Sequence, residues 1–151
     1  MMIESYFTKN VVACDVDAQT PEEVIRSVGN LLVQANKVDD SYVDAMIDVY
    51  HTLGAYIVLA PGIAFPHAKP GPYVKEPCVA FCNLRHPVKF NHKENDPVKM
   101  VFALGGYDET CHMGLLQSLF TLLMDCEKLQ QLETVKNYDE FLEVIKKGGE
   151  E

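Results

Sequence analysis

No run of eighteen apolar residues occurs in the 151-residue chain, so no helix is expected to span a bilayer. The opening Met1-Met2-Ile3-Glu4-Ser5-Tyr6 lacks the cationic stretch and apolar core of a secretory signal, and a cytoplasmic protein is expected. Cations are scarce: 13 Lys and Arg stand against 22 Asp and Glu, a formal charge of −9. Phosphate backbones reward basic surfaces, so this balance argues against nucleic acid as a partner and is compatible with a basic protein. No GxxxxGK[ST] loop is present, so nucleotide-driven phosphoryl transfer is not indicated. Internal repeats, low-complexity tracts and Gly/Ser linkers are missing too. Cysteine is modest and odd in number (14, 78, 82, 111 and 126), and without a secretion signal these scattered thiols read as reduced.

What is present has the make-up of a folded protein, 48% hydrophobic and 23% charged, and residues 1–151 are expected to form a single domain. Only the tail Lys146-Lys147-Gly148-Gly149-Glu150-Glu151 is expected to fray. Thr20-Pro21-Glu22-Glu23 is a strong helix start: a capping Thr, Pro at the first helical position and Glu three residues after the cap. Val24, Val28, Leu31, Leu32 and Ala35 follow at helical spacing. A second helix is expected from Ser41 to Gly54, with Val43, Met46, Ile47 and Tyr50 inward. Ala55 to Ala60 reads as a buried strand broken by Pro61-Gly62. Cys78–Leu84 and Val98–Leu104 read as further strands, with Asn91 to Asp96 as the turn between them. From about Thr110 a helix carries Met113, Leu115, Leu116, Leu119, Phe120, Leu122 and Leu123, an apolar face wide enough to be buried against a sheet. Shorter helices are expected near Asp125–Leu132 and from Asn137. Helices first, strands in the middle and helices last give an α/β sandwich on a mixed sheet.

Histidine is the candidate chemistry, because its nitrogens can be neutral nucleophiles near pH 7. His67, in Gly62-Ile63-Ala64-Phe65-Pro66-His67-Ala68-Lys69, sits on a turn that Pro66 stiffens and that Ile63 and Phe65 can anchor. Position alone favours the plainer reading, a turn histidine capping a nearby carbonyl. His112 shifts the balance: it falls in the first turn of the wide apolar helix, where free N–H groups and the dipole favour anions. A cap residue without function is its plainer reading. Cys78, Cys82, His86 and His92 loosely resemble a zinc set. On one strand, however, the two thiols stand roughly 13 Å apart at ~3.3 Å per residue, so no metal is expected. Cys111 beside His112 is a weak thiol-nucleophile candidate, since adjacent helical residues point apart. His51 suits the end of the second helix and can also approach His67 through the fold.

The segments "APGIAFPHAK" (60–69), "NDPVKMVFALGGYD" (95–108) and "CHMGLLQSLFTLL" (111–123) together resemble the type-2 enzyme IIA domains of the bacterial phosphoenolpyruvate-dependent sugar phosphotransferase system. This is the fructose–mannitol class, and the likeness is greatest to its ascorbate-type members. It covers nearly the whole chain. The resemblance implies a three-layer sandwich, a mixed β-sheet with helices on both faces, like the mannitol-type IIA fold. It implies that His67 accepts a phosphoryl group from the histidine-containing phosphocarrier protein, with His112 as the auxiliary histidine. The group then passes to a cysteine of the cognate enzyme IIB, and no cofactor is implied. Two positions depart from the family's pattern. Asp48-Val49-Tyr50-His51 stands where many members carry an Arg-Glu pair, and Lys69 stands where ascorbate-like members often carry Arg.

The alternative is a regulatory IIA-like domain whose phosphorylation state controls a partner rather than transport. In either case Phe65 and Met113 are expected to form a small exposed apolar patch for the docking partner. The sugar is not legible, because a IIA domain touches proteins rather than sugar.

Overall fold

The computed structural model describes residues 3–146, so most of the expected frayed tail lies outside the described residues. Five strands form one mixed sheet: β1 (Val12–Val16), β2 (Val58–Ala60), β3 (Ile63–Ala64), β4 (Cys78–Val88) and β5 (Val98–Gly105), in the spatial order β1-β4-β5-β3-β2. The pairings β1–β4 and β3–β5 are parallel, while β4–β5 and β2–β3 are antiparallel. Five helices cover it: α1 (Pro21–Gln34), α2 (Asp40–Leu53), α3 (Glu109–Leu123), α4 (Cys126–Leu132) and α5 (Tyr138–Lys146).

The central strands dictate the layering. Side chains alternate faces along a strand, and Cys78–Cys82 of β4 and every position of β5 but Lys99 are apolar and buried, so both faces of the sheet must be covered. Ala80, Cys82, Val101 and Ala103 turn to one side and pack with Val24, Val28 and Leu32 of α1 and Val43 and Met46 of α2. Val79, Phe81, Met100, Phe102 and Leu104 turn to the other and pack with Leu115 and Leu119 of α3 and Phe141 and Ile145 of α5. This is the three-layer α/β sandwich that the resemblance implied. Each large apolar side chain buried this way stabilises the fold by roughly 1.5–3 kcal/mol.

Helix starts follow the expected chemistry. The Thr20 hydroxyl accepts from Glu23 N–H at 3.2 Å, while the Glu23 carboxylate accepts from Gln19 N–H at 3.0 Å. Asn137 caps α5 through Glu140 N–H at 2.9 Å. The strand expected over 55–60 is shorter than that: residues Gly54–Ile57 form a 3-10 turn, and only Val58–Ala60 pairs. Gly62, at φ +77, reverses the chain so that Ala60 faces Ile63 and β3 can join β5. β4 also runs four residues beyond Leu84, to Val88.

Candidate histidine site

His67 lies on the loop just past β3, and the backbone around it is held on every side. Phe65 N–H donates to the Ile57 carbonyl at 2.8 Å, and Leu104 N–H donates to the Pro66 carbonyl at 3.2 Å, so the loop still runs along β5. Ala68 N–H donates to the Tyr42 hydroxyl at 3.1 Å, and the Tyr73 hydroxyl donates to the Lys69 carbonyl at 2.6 Å. Ile63 and Phe65 are buried beneath it.

The ring itself is tied down by one nitrogen. His67 Nδ1 lies 2.6 Å from the Phe65 carbonyl oxygen. A carbonyl only accepts, so Nδ1 carries the proton, and in the neutral ring Nε2 is left with a bare lone pair. The plain reading and the chemical one therefore describe two sides of a single imidazole. One nitrogen caps a carbonyl, and that cap leaves the other with the free lone pair that a nucleophile needs. Burial lowers the His67 pKa, and the Phe65 hydrogen bond partly opposes the shift. The neutral ring is favoured at neutral pH.

His112 stands in α3 with its ring centroid 5.4 Å from that of His67. Its pKa is also lowered, first by burial and then by the neighbouring His67, against an opposing pull from Glu109. Its Nδ1 is buried without a hydrogen-bond partner, which leaves Nε2 as the nitrogen available to the cleft. The helix start expected to welcome an anion already holds one, because the Asp108 carboxylate caps Cys111 N–H at 2.8 Å. His112 N–H is likewise taken, by the Asp108 carbonyl at 3.0 Å.

The two imidazoles share a cleft of about 220 Å³ with Leu53, Tyr56, Lys69 and Glu109. Lys69 is its cation, the place of greatest attraction for a phosphoryl oxygen. Tyr56 packs near the His67 ring, centroids 6.1 Å apart. A larger cavity of about 380 Å³ lies against Lys37, Glu76 and Cys78, but its cation and carboxylate pair with each other and it holds no imidazole.

Other candidates are placed elsewhere. His51 turns to Glu22 of α1, Nε2 to Oε2 at 2.8 Å, and so does not contribute its ring to the cleft. Cys78 and Cys82 lie on continuous strand β4 with their thiols buried and pushed up to about 12 by desolvation. His92 caps its own turn, its Nδ1 accepting from Glu94 and Asn95 N–H. Among the described residues no group of three or more His, Cys, Asp or Glu is arranged to hold a metal ion. Cys111 packs against the core on the α3 side of the sheet. Phe65 corrects an expectation outright: it is only 1% exposed, stacked on Phe102, because its side chain faces the layer beneath α3. Met113, 46% exposed, does reach the surface, and so do Leu53, Tyr56 and Phe120.

Three residues that shape the site were not singled out from the sequence. Tyr42 shares the i, i+4, i+8 spacing of Met46 and Tyr50, so its burial was legible, though not its partners. Gly106 is a close approach: a Cβ there would stand 2.7 Å from His112 N and 2.8 Å from its Cα. Asp108 carries a plain signature, an acid three residues before a helical N–H.

The family model described as "Phosphoenolpyruvate-dependent sugar phosphotransferase system, EIIA 2" matches residues 5–148. The ascorbate-specific PTS system EIIA component of Escherichia coli (strain K12) is 32% identical over 136 residues, covering 89% of this chain and 88% of that protein. The solution structure of the mannitol-specific cryptic phosphotransferase enzyme IIA CmtB from Escherichia coli superposes with a TM-score of 0.87 at 28% identity, over 98% of this chain and 100% of that one. An NMR structure of a complex of enzyme IIAMTL with phosphorylated enzyme IIBMTL, also from Escherichia coli, matches with a TM-score of 0.80 at 28% identity, over 92% and 96% of the two chains.

Proposed function

The chain belongs to the phosphoenolpyruvate-dependent sugar phosphotransferase system EIIA 2 family, and on that premise we propose that it is a phosphohistidine carrier with His67 as the phosphoacceptor and His112 as the auxiliary. The observation that carries this reading is the 2.6 Å contact from His67 Nδ1 to the Phe65 carbonyl, beside a second imidazole at 5.4 Å. The Nε2 lone pair attacks the phosphorus of the histidine-containing phosphocarrier protein. The new N–P bond forms as the donor's N–P bond breaks, and no proton has to leave Nε2 because none is there. Such transfer asks for positioning and charge stabilisation rather than covalent work from the protein. His112, with its proton on Nε2, and Lys69 donate to the phosphoryl oxygens. In the second half of the cycle the cysteine thiolate of a cognate enzyme IIB attacks the same phosphorus, an S–P bond replaces the N–P bond, and His67 returns to its starting form. Residues 1–151 act here as one cytoplasmic type-2 IIA domain in the uptake of an ascorbate-like substrate, the class that the 32% identical relative supports.

The experiment is incubation with phosphoenolpyruvate, enzyme I and the phosphocarrier, followed by intact mass and phosphorus NMR. One phosphoryl group on His67 Nε2 is expected, labile in acid and stable in base. His67→Ala abolishes acceptance, and His112→Ala slows it by roughly a hundred-fold or more. Phosphate on His67→Ala, or a base-labile product on the wild type, overturns the assignment.

A further inference from the structure

Tyr42, on α2, is wholly buried although it carries a hydroxyl. A buried hydroxyl is costly unless it is hydrogen-bonded, so its partners show what it is tied to. It accepts from Ala68 N–H at 3.1 Å and donates to the Leu104 carbonyl at 2.7 Å. Ala68 directly follows His67. Leu104 lies near the end of β5, two residues before Gly106, which presses against the backbone of His112. One hydroxyl thus joins the loop that bears the first imidazole to the strand that leads to the second. Donation to a carbonyl requires the protonated phenol, and burial, the largest influence, raises the Tyr42 pKa and keeps it so. The ring is held in turn, with Tyr73 packed edge-on against it at 5.0 Å.

We propose that Tyr42 is a positioning residue for phosphoryl transfer, setting the separation and orientation of His67 and His112 by bridging Ala68 to Leu104. The proposal rests on the phosphohistidine reading above. Tyr42 does not reach the phosphoryl group and acts through backbone alone. In-line attack tolerates little displacement, and a misplacement of about 1 Å can slow a reaction by about a hundred-fold. The chain supplies its own comparison. Tyr50 lies two turns along α2, is also buried, and donates to the Phe90 carbonyl at 3.1 Å, away from both histidine segments.

The test compares Tyr42→Phe and Tyr50→Phe in the full chain. Each removes one buried hydroxyl, and each lowers the melting temperature. Imidazole nitrogen NMR should show the Nδ1–H tautomer of His67 in the wild type and in Tyr50→Phe, and a mixture of both tautomers in Tyr42→Phe. With phosphorylated phosphocarrier as donor, Tyr42→Phe should lower kcat by about ten- to a hundred-fold, with KM unchanged, while Tyr50→Phe keeps kcat. If Tyr42→Phe matches Tyr50→Phe in both tautomer and kcat, Tyr42 is structural only and the proposal is overturned. Amide exchange in the wild type needs no variant: Ala68 N–H should be protected like the core strands, and exchange at an open-loop rate would overturn the bridge even if Tyr42→Phe fails to fold. A wild type that takes no phosphoryl group on His67 would instead overturn the parent reading, and intact mass separates the two failures.

Discussion

A phosphoacceptor at His67, the role proposed above, must stay neutral to attack and must keep one nitrogen occupied so that the other is free. Burial serves the first need and the Phe65 carbonyl the second. Lowered pKa values at both histidines have a definite consequence for pH. Between the folded-state pKa and the ordinary value of 6.5, the unfolded chain binds more protons than the folded one, so stability rises with pH across that window. The contribution is complete above 6.5 and is lost as pH falls through the folded values. A His67→Gln variant should therefore lose less melting temperature than the wild type between about pH 8 and about pH 5. A parallel loss in the two proteins would mean that His67 is not held neutral by the fold. Both histidines were legible because residue type and motif mark them. Tyr42 was not, since its partners lie 26 and 62 residues away and only the folded chain brings them together.

The third helix shows how an element can be read correctly and still be incompletely understood. Its apolar face was expected to be buried as a whole, yet Leu115, Leu119 and Leu122 alone among its leucines, methionine and phenylalanine are fully covered. A helix offers a sheet only one stripe, so a face wider than that stripe must leave a remainder exposed, here Met113 and Phe120. Strong local signatures carried over well: the Thr20-Pro21-Glu22-Glu23 start and the Asn137 cap form as expected. β1 escaped notice because Val12–Val16 is short, pairs on one side only, and is interrupted by Asp15 at φ 57. β3 escaped because two residues carry no period at all. The start of α3 also depends on Gly106. Gly106→Ala should cost about 1–3 kcal/mol, because the added methyl meets backbone that cannot rotate away, and acceptance at His67 should slow as His112 is pushed outward. Wild-type stability and rate in that variant, measured by denaturant unfolding and the transfer assay, would show that α3 yields freely there.

At the level of the whole molecule, Leu53 and Tyr56 are exposed apolar side chains that line the cleft, and Met113 and Phe120 are exposed on α3, the helix that carries His112. The chain around them is acidic, at −9. A transient partner therefore needs an apolar anchor within a basic rim. Tyr56→Ser and Phe120→Ser should each raise KM for the phosphocarrier roughly tenfold with kcat preserved, and added salt should lower kcat/KM for the wild type. Unchanged KM in both variants would move the docking face elsewhere. The buried thiols carry one last consequence. A relay that ends on a partner's cysteine must avoid ending early on a cysteine of the carrier. Cys78, whose thiol contacts the Gly105 carbonyl, is pushed up to about 12 by burial, so it stays a thiol rather than the nucleophilic thiolate at neutral pH. On the proposed function, a thiol held in this way removes one route by which a loaded imidazole would discharge inside its own chain, and leaves more of its lifetime to water and to the protein that arrives first.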